Sequence, residues 1–193
     1  MKNVLFILTT LFTMSFTAAL AQAQNGKLTI SAGVGFEPTF YADKATVNTP
    51  PVSLKIGYQV TPAFSVNAFG GYSSATSQSY LISDGQLANV TNKHVLLGLR
   101  GELRKELSKR FDVYGGGMLG VSIANIKETD ALTGQDVGRE PQGPTPYDPN
   151  APKGKLIYAG FVGGTFYLTN YVGVFAEAGY GVALLNAGFT FRL

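Results

Sequence analysis

The chain has 193 residues, with 15 lysines and arginines against 12 aspartates and glutamates, for a net charge of +3. That balance is too small to point to nucleic acid, and the absence of cysteine excludes a disulfide scaffold and any thiolate metal centre. Charged residues make up only 14% of the chain, low for a soluble domain, while glycine reaches 24 residues, which points to a β-rich chain solvated partly by lipid.

The chain opens with Lys2, an apolar run to Phe16 and a small-residue ending, Ala21-Gln22-Ala23. This reads as a secretory signal peptide with an Ala-x-Ala cleavage site; the apolar run is too short for a membrane-spanning helix. Residues 1–23 are expected to be removed, leaving one domain, residues 24–193, with a charge of +2 because Lys2 leaves too.

The mature chain then alternates with a period of two, the mark of strands with one greasy and one wetter face. The first strand, Lys27 to Phe36, sets Leu28, Ile30, Ala32, Val34 and Phe36 on one face. The second, Val52 to Val60, follows a polar connection ending at Pro50-Pro51, and Thr61-Pro62 turns into a third from Phe64 to Tyr72. Residues 73–91, rich in Ser, Thr, Asn and Gln, read as a loop. The fourth strand, Lys93 to Arg104, ends in a charged turn, Lys105 to Arg110. A helix over Leu96 to Arg110 is weakened by Gly98 and Gly101. The fifth strand runs from Phe111 through Ile123, longer than a bilayer requires, and should project into solvent. The proline-rich stretch from Lys127 to Gly154 carries no expected element. The sixth strand, Leu156 to Leu168, turns at Thr169-Asn170 into a seventh, Val172 to Tyr180. Gly181-Val182 links that to the closing strand, Ala183 to Leu193. All nine prolines fall in loops, turns or at a strand start.

Connections alternate long and short except for the minimal last one. The expected fold is all-β, an eight-stranded antiparallel up-and-down transmembrane β-barrel. A soluble barrel would have the same period turned inside out. Two features favour lipid outside. The apolar phase carries no charge and has aromatics near both strand ends, and the other phase is rich in Gly, Ser and Thr, as a narrow lumen requires.

That lumen would hold Lys55, Arg100, Glu102, Arg104, Asp112, Glu177 and Arg192 beside Phe69, Tyr114, Met118, Phe161, Tyr167 and Phe175. Buried charges persist only when paired. Glu177 is expected to pair with Arg100 or Lys55 near mid-height, and Asp112 or Glu102 with Arg192 lower down, although water at the short-turn end could solvate Arg104 and Asp112. Such a plug would leave no aqueous path.

TNYVGVFAEAGYG followed by LLNAGFTFRL resembles the final hairpin of the small eight-stranded outer-membrane barrels, the OmpA transmembrane-domain and OmpX-like group in its Bacteroidetes form. The likeness runs over the mature chain through pattern more than motif. It implies a bacterial outer-membrane location, contact with outer-membrane lipid and lipopolysaccharide, and insertion by the barrel assembly machinery, which reads the last strand. The family pattern ends in Phe where this chain has Leu193. No peptidoglycan-binding domain follows, so an OmpA-type anchoring role is not expected.

No catalytic, cofactor or metal residues are expected. His94, the only histidine, sits at the loop end of the fourth strand, the rim that barrel acyltransferases, proteases and phospholipases use. It lacks a Ser/His/Asp signature around it and reads as solvated. Glu128, Asp130, Asp136, Glu140 and Asp148 lack calcium-loop spacing. The expected role is structural or surface-interacting, with a partner at residues 41–50, 73–91 or 127–154 or at an edge of the projecting fifth and sixth strands. A narrow channel for small or apolar solutes and a lipid-modifying enzyme are the alternatives.

Overall fold

Alternating side chains build eight strands: β1 (Leu28–Pro38), β2 (Thr46–Thr61), β3 (Phe64–Leu81), β4 (Gln86–Ser108), β5 (Phe111–Asp130), β6 (Gly154–Tyr167), β7 (Val172–Gly179) and β8 (Ala183–Arg192). The computed structural model describes residues 28–39, 45–81, 86–137 and 154–193; the expected signal peptide lies outside them. Each strand pairs antiparallel with its neighbour in sequence, and β1 pairs with β8 to close the barrel, from Thr29↔Arg192 to Pro38↔Ala183. Closure leaves no sheet edge along the paired wall.

The apolar phase faces out. Val34, Leu54, Ile56, Val66, Leu97, Leu99, Leu119, Val162, Leu185 and Phe189 are all exposed, while the alternate residues of the same strands are buried. Exposed Phe64, Phe111, Phe166, Tyr171 and Phe191 ring the short-turn end, and Phe36, Tyr158 and Tyr180 stand toward the other. An outer belt without charge, bounded by aromatics, is the surface of a barrel that spans a bilayer. The packed core is the lumen itself, where Phe69, Leu96, Tyr114, Met118, Ile157, Phe161 and Val182 form one cluster.

The strands outrun the sequence reading at the long-loop end. Of residues 73–91, expected as a loop, the described ones are strand: β3 and β4 stay in register from Ser73↔His94 to Leu81↔Gln86. Beyond the bilayer neither face of a strand must be apolar, so a Ser/Thr hairpin forms without the greasy alternation that marks the other strands. β2 likewise starts at Thr46, inside the expected connection, and Pro50 and Pro51 lie within it. They fall at a register shift between Thr49 and Val52, where the ladder needs no proline N–H. At the other end β4 continues to Ser108, leaving only Lys109 and Arg110 as the turn. β5 reaches Asp130 and folds back through Gly134 (φ 69°) to a bridge between Thr129 and Asp136.

The barrel is therefore lopsided. β4 has 23 residues and β7 has 8, about 75 Å of strand against about 26 Å at ~3.3 Å per residue. Among the described residues β3, β4 and β5 project; β6, expected to project with β5, pairs with it up to Ile123↔Gly154, and what precedes Gly154 lies outside the described residues. On the low side the β7–β8 link turns inward. Thr39 donates a hydrogen bond to the Gly181 carbonyl, and Val182 is buried against Gly71 on β3.

Candidate functional site: the charged lumen

Strand parity turns every ionisable side chain of the central lumen inward, and the register decides which of them meet. Arg100 and Glu102 sit two apart on β4, so both face inside at successive heights. Met118 lies opposite Arg100 on β5, and Gly116 opposite Glu102. Glycines on the facing wall keep the lumen open to large side chains: a Cβ on Gly163 would stand 2.8 Å from the Tyr114 hydroxyl.

The structure brings Arg100 to Glu177, Nη2 to Oε1 at 2.7 Å, and Tyr114 donates its hydroxyl to the other Glu177 oxygen at 3.2 Å. The Arg100 guanidinium lies 3.5 Å from the Phe161 ring centre and 5.0 Å from that of Phe69. Two aromatic faces and one carboxylate thus replace the water this cation has lost. Lys55, the other partner considered for Glu177, goes to Glu102 at 2.9 Å and lies 4.7 Å above the Tyr114 ring. Glu102 is fully buried and also faces Arg104 at 3.5 Å and the Arg100 Nε at 3.9 Å.

Lower down, Asp112 takes Arg192 at 3.3 Å and Arg104 at 3.0 Å on the same oxygen. Arg192 lies 4.0 Å over the Tyr167 ring, and Arg104 reaches the Tyr167 hydroxyl at 3.3 Å. Asp112 is 5% exposed, its carboxylate turned to the two arginines at the edge of the lumen and not out to solvent. Sequence reasoning left Arg104 outside the central network and did not foresee the Lys55–Glu102 pair. A register shift between Glu106 and Ser108 sets Glu106 opposite Asp112 and so brings Arg104 near it, and simple counting from the Lys109-Arg110 turn misses that shift by one residue.

Cavities lie among the described residues of the lumen. One of about 20 Å³, room for a single water, lies beside Arg100, Glu177 and Asn186. Another, about 270 Å³, is a polar vestibule at the short-turn end. Above the ion pairs the lumen is closed by Leu96, Met118, Ile157 and Val182.

His94 is not at a solvated rim. The tall β3–β5 wall encloses it, 2% exposed, with Nε2 2.5 Å from the Ser122 hydroxyl and Ser73 opposite it on β3. Among the described residues no group of three or more His, Asp or Glu side chains could hold a metal ion. Glu140 and Asp148, weighed as cation ligands, lie outside the described residues. Asp130 accepts the N–H groups of Thr133 and Leu132 and the Thr133 hydroxyl, which holds its carboxyl below the usual carboxylate range.

Comparison with solved structures finds similar chains. A de novo designed transmembrane β-barrel is similar at 14% identity, over 88% of this chain and 98% of that one, with a TM-score of 0.46. Ail, the attachment invasion locus protein of Yersinia pestis, in complex with the heparin analogue sucrose octasulfate, is similar at 16% identity, over 86% and 95% of the two chains, TM-score 0.42. The same Ail in a phospholipid bilayer nanodisc gives 19%, 87% and 99%, TM-score 0.45. No family model matches the chain, and no curated protein does.

Proposed function

We propose that the protein is a bacterial outer-membrane barrel of the OmpA transmembrane-domain and OmpX-like kind, with a plugged lumen and an outer rim that meets surface partners. The observation that carries this reading is the pairing of an uncharged, exposed apolar belt with buried ion pairs inside. A soluble barrel would carry its charges outside. The lumen ion pairs of Lys55, Arg100, Glu102, Asp112, Glu177 and Arg192 are structural: they hold the strands in register and fill the bore. With the lumen closed at two levels, the protein passes no steady flow of solute. Outer-membrane lipid and lipopolysaccharide contact the belt, and the β8 strand is what the assembly machinery engages. The β3–β4 hairpin and the described start of the segment after β5 present the surface for an extracellular partner. An edge of the projecting fifth and sixth strands is where an added strand would pair.

Fractionation and a gel comparing boiled with unboiled samples test the core of this reading. The protein should fractionate with the outer membrane and change mobility on boiling; recovery in the soluble fraction without detergent would overturn it. A planar bilayer should show no steady open level, and a stable conductance would return the channel reading. One observation favours a second reading, lipid modification: the His94–Ser122 contact is a base beside a hydroxyl. His94→Ala and Ser122→Ala should leave outer-membrane lipid composition unchanged, and a shared change in acylation would revive catalysis.

A further inference from the structure

The charges of the lumen do not balance, and the imbalance sits in one place. Lys55 with Glu102 and Arg100 with Glu177 are one-to-one pairs. Asp112 alone serves both Arg104 and Arg192, through a single oxygen. Arg104 also draws on Glu102, at 3.5 Å, but that carboxylate already neutralises Lys55. Four cations thus face three carboxylates, and the surplus positive charge lies at the short-turn end.

That end is where the lumen is hollow. The vestibule of about 270 Å³ is lined by Arg104, Arg192, Asp112, Tyr167 and Gln59, with Lys109 and Glu106 also lining it with opposite charges. Its size lies just under the usual range for small-ligand pockets, which suits a molecule of a few heavy atoms. Arg192 is the exposed member of the pair, its side chain 34% accessible against 16% for Arg104. It spends one nitrogen on Asp112 and lies over the Tyr167 ring. A guanidinium has five N–H donors in a rigid fork. Those that Arg192 does not give to Asp112 have no side-chain acceptor among the described residues.

We propose that this vestibule is a binding site for a small oxyanion, a carboxylate or a phosphate, held by the Arg192 fork with Arg104 behind it. The site is blind. Beyond it stand the Lys55–Glu102 and Arg100–Glu177 pairs, and beyond those the apolar layer that Val182 completes against Gly71. An anion entering from the short-turn side is held and not conducted. Only the compartment that supplies the anion, the periplasm, rests on the outer-membrane reading.

The test uses the folded barrel in detergent micelles. Inorganic phosphate and acetate are titrated separately at constant ionic strength, with chloride as the balancing ion, and the arginine Nε–H resonances are followed by NMR. Saturable shifts of the Arg192 and Arg104 signals are expected, with a Kd of roughly millimolar or tighter. Saturation by phosphate alone assigns a phosphate-bearing ligand, and by acetate alone a carboxylate. Arg192→Gln should weaken binding by about tenfold or more, because a charge-assisted fork is lost. Arg192→Lys keeps the charge and loses the fork, so it should fall between the two, and it decides the matter where the glutamine variant does not fold. Lys93→Gln, on the outward face of β4, should leave the curve unchanged. Shifts that rise linearly without saturating, or curves identical in the Arg192 variants, would overturn the site. The gel shift on boiling reports the barrel itself independently, so a folded barrel that binds no anion defeats this inference alone.

Discussion

Arg100 and Glu177 show how a cation can persist inside a bore about one side chain wide. The Glu177 carboxylate at 2.7 Å, itself accepting from the Tyr114 hydroxyl, and the Phe69 and Phe161 rings surround the cation, and removing the carboxylate leaves a buried charge uncompensated. Glu177→Leu should destabilise the barrel by about 3–5 kcal/mol, because the guanidinium stays buried without its carboxylate. Adding Arg100→Met should restore most of that loss; urea unfolding in lipid vesicles, followed by tyrosine fluorescence, measures both. If the double variant is no more stable than the single one, the pair is not the source of the cost. Asp130, beyond the bilayer, gives a pH prediction. Its folded-state pKa is depressed by the N–H donors of Thr133 and Leu132, so the turn's stabilisation is present above the ordinary carboxylate range. It should be lost as pH falls through the lower folded value. The Thr133 amide resonance, followed through an acid titration, should move with a midpoint below that of a free aspartate, and Asp130→Asn should abolish the transition.

At the scale of the strand, what the sequence reveals depends on the solvent each segment meets. Inside the bilayer lipid demands an apolar residue at every second position, and Leu54, Ile56, Leu97, Leu99 and Phe189 announce their strands plainly. Above it, Ser73 to Leu81 and Gln86 to Asn92 have no such demand, so these strand extensions read as a loop. The same gap explains His94: a residue placed at a rim by counting from the bilayer is enclosed once the wall continues past it. Ion pairs were legible by half. Parity alone puts Arg100, Glu102 and Glu177 inside, but only the register between non-adjacent strands chooses Glu102 for Lys55 and Glu177 for Arg100. An extension that owes little to lipid should also be dispensable to the barrel. Replacing residues 77–90 with Asn-Gly, a two-residue hairpin turn, should leave the boiling-dependent gel shift and the strand signal in circular dichroism intact. Loss of the shift would show that the tall wall nucleates the barrel.

For the molecule as a whole, everything turns on which solvent the outer belt meets, and one pair of substitutions separates lipid from water. Leu99 is 60% exposed and lies midway along the apolar part of β4; Leu87, 38% exposed, lies on the same face in the upper extension. In a water-soluble barrel an arginine at either exposed position would change stability by no more than about 0.5 kcal/mol. In a bilayer the two part company. Leu99→Arg puts a guanidinium near the midplane, where the cost is about 2–4 kcal/mol, and it falls to about 0–1 near the interface. Unfolding of both variants in vesicles should therefore show a large loss for Leu99→Arg and almost none for Leu87→Arg. The contrast holds because the barrel inverts the usual arrangement: its charges pair inside, around Glu102 and Asp112, and its aliphatic side chains face out. Equal and small effects at the two positions would mean that water wets the belt, and the exposed apolar surface would then need a covering other than lipid.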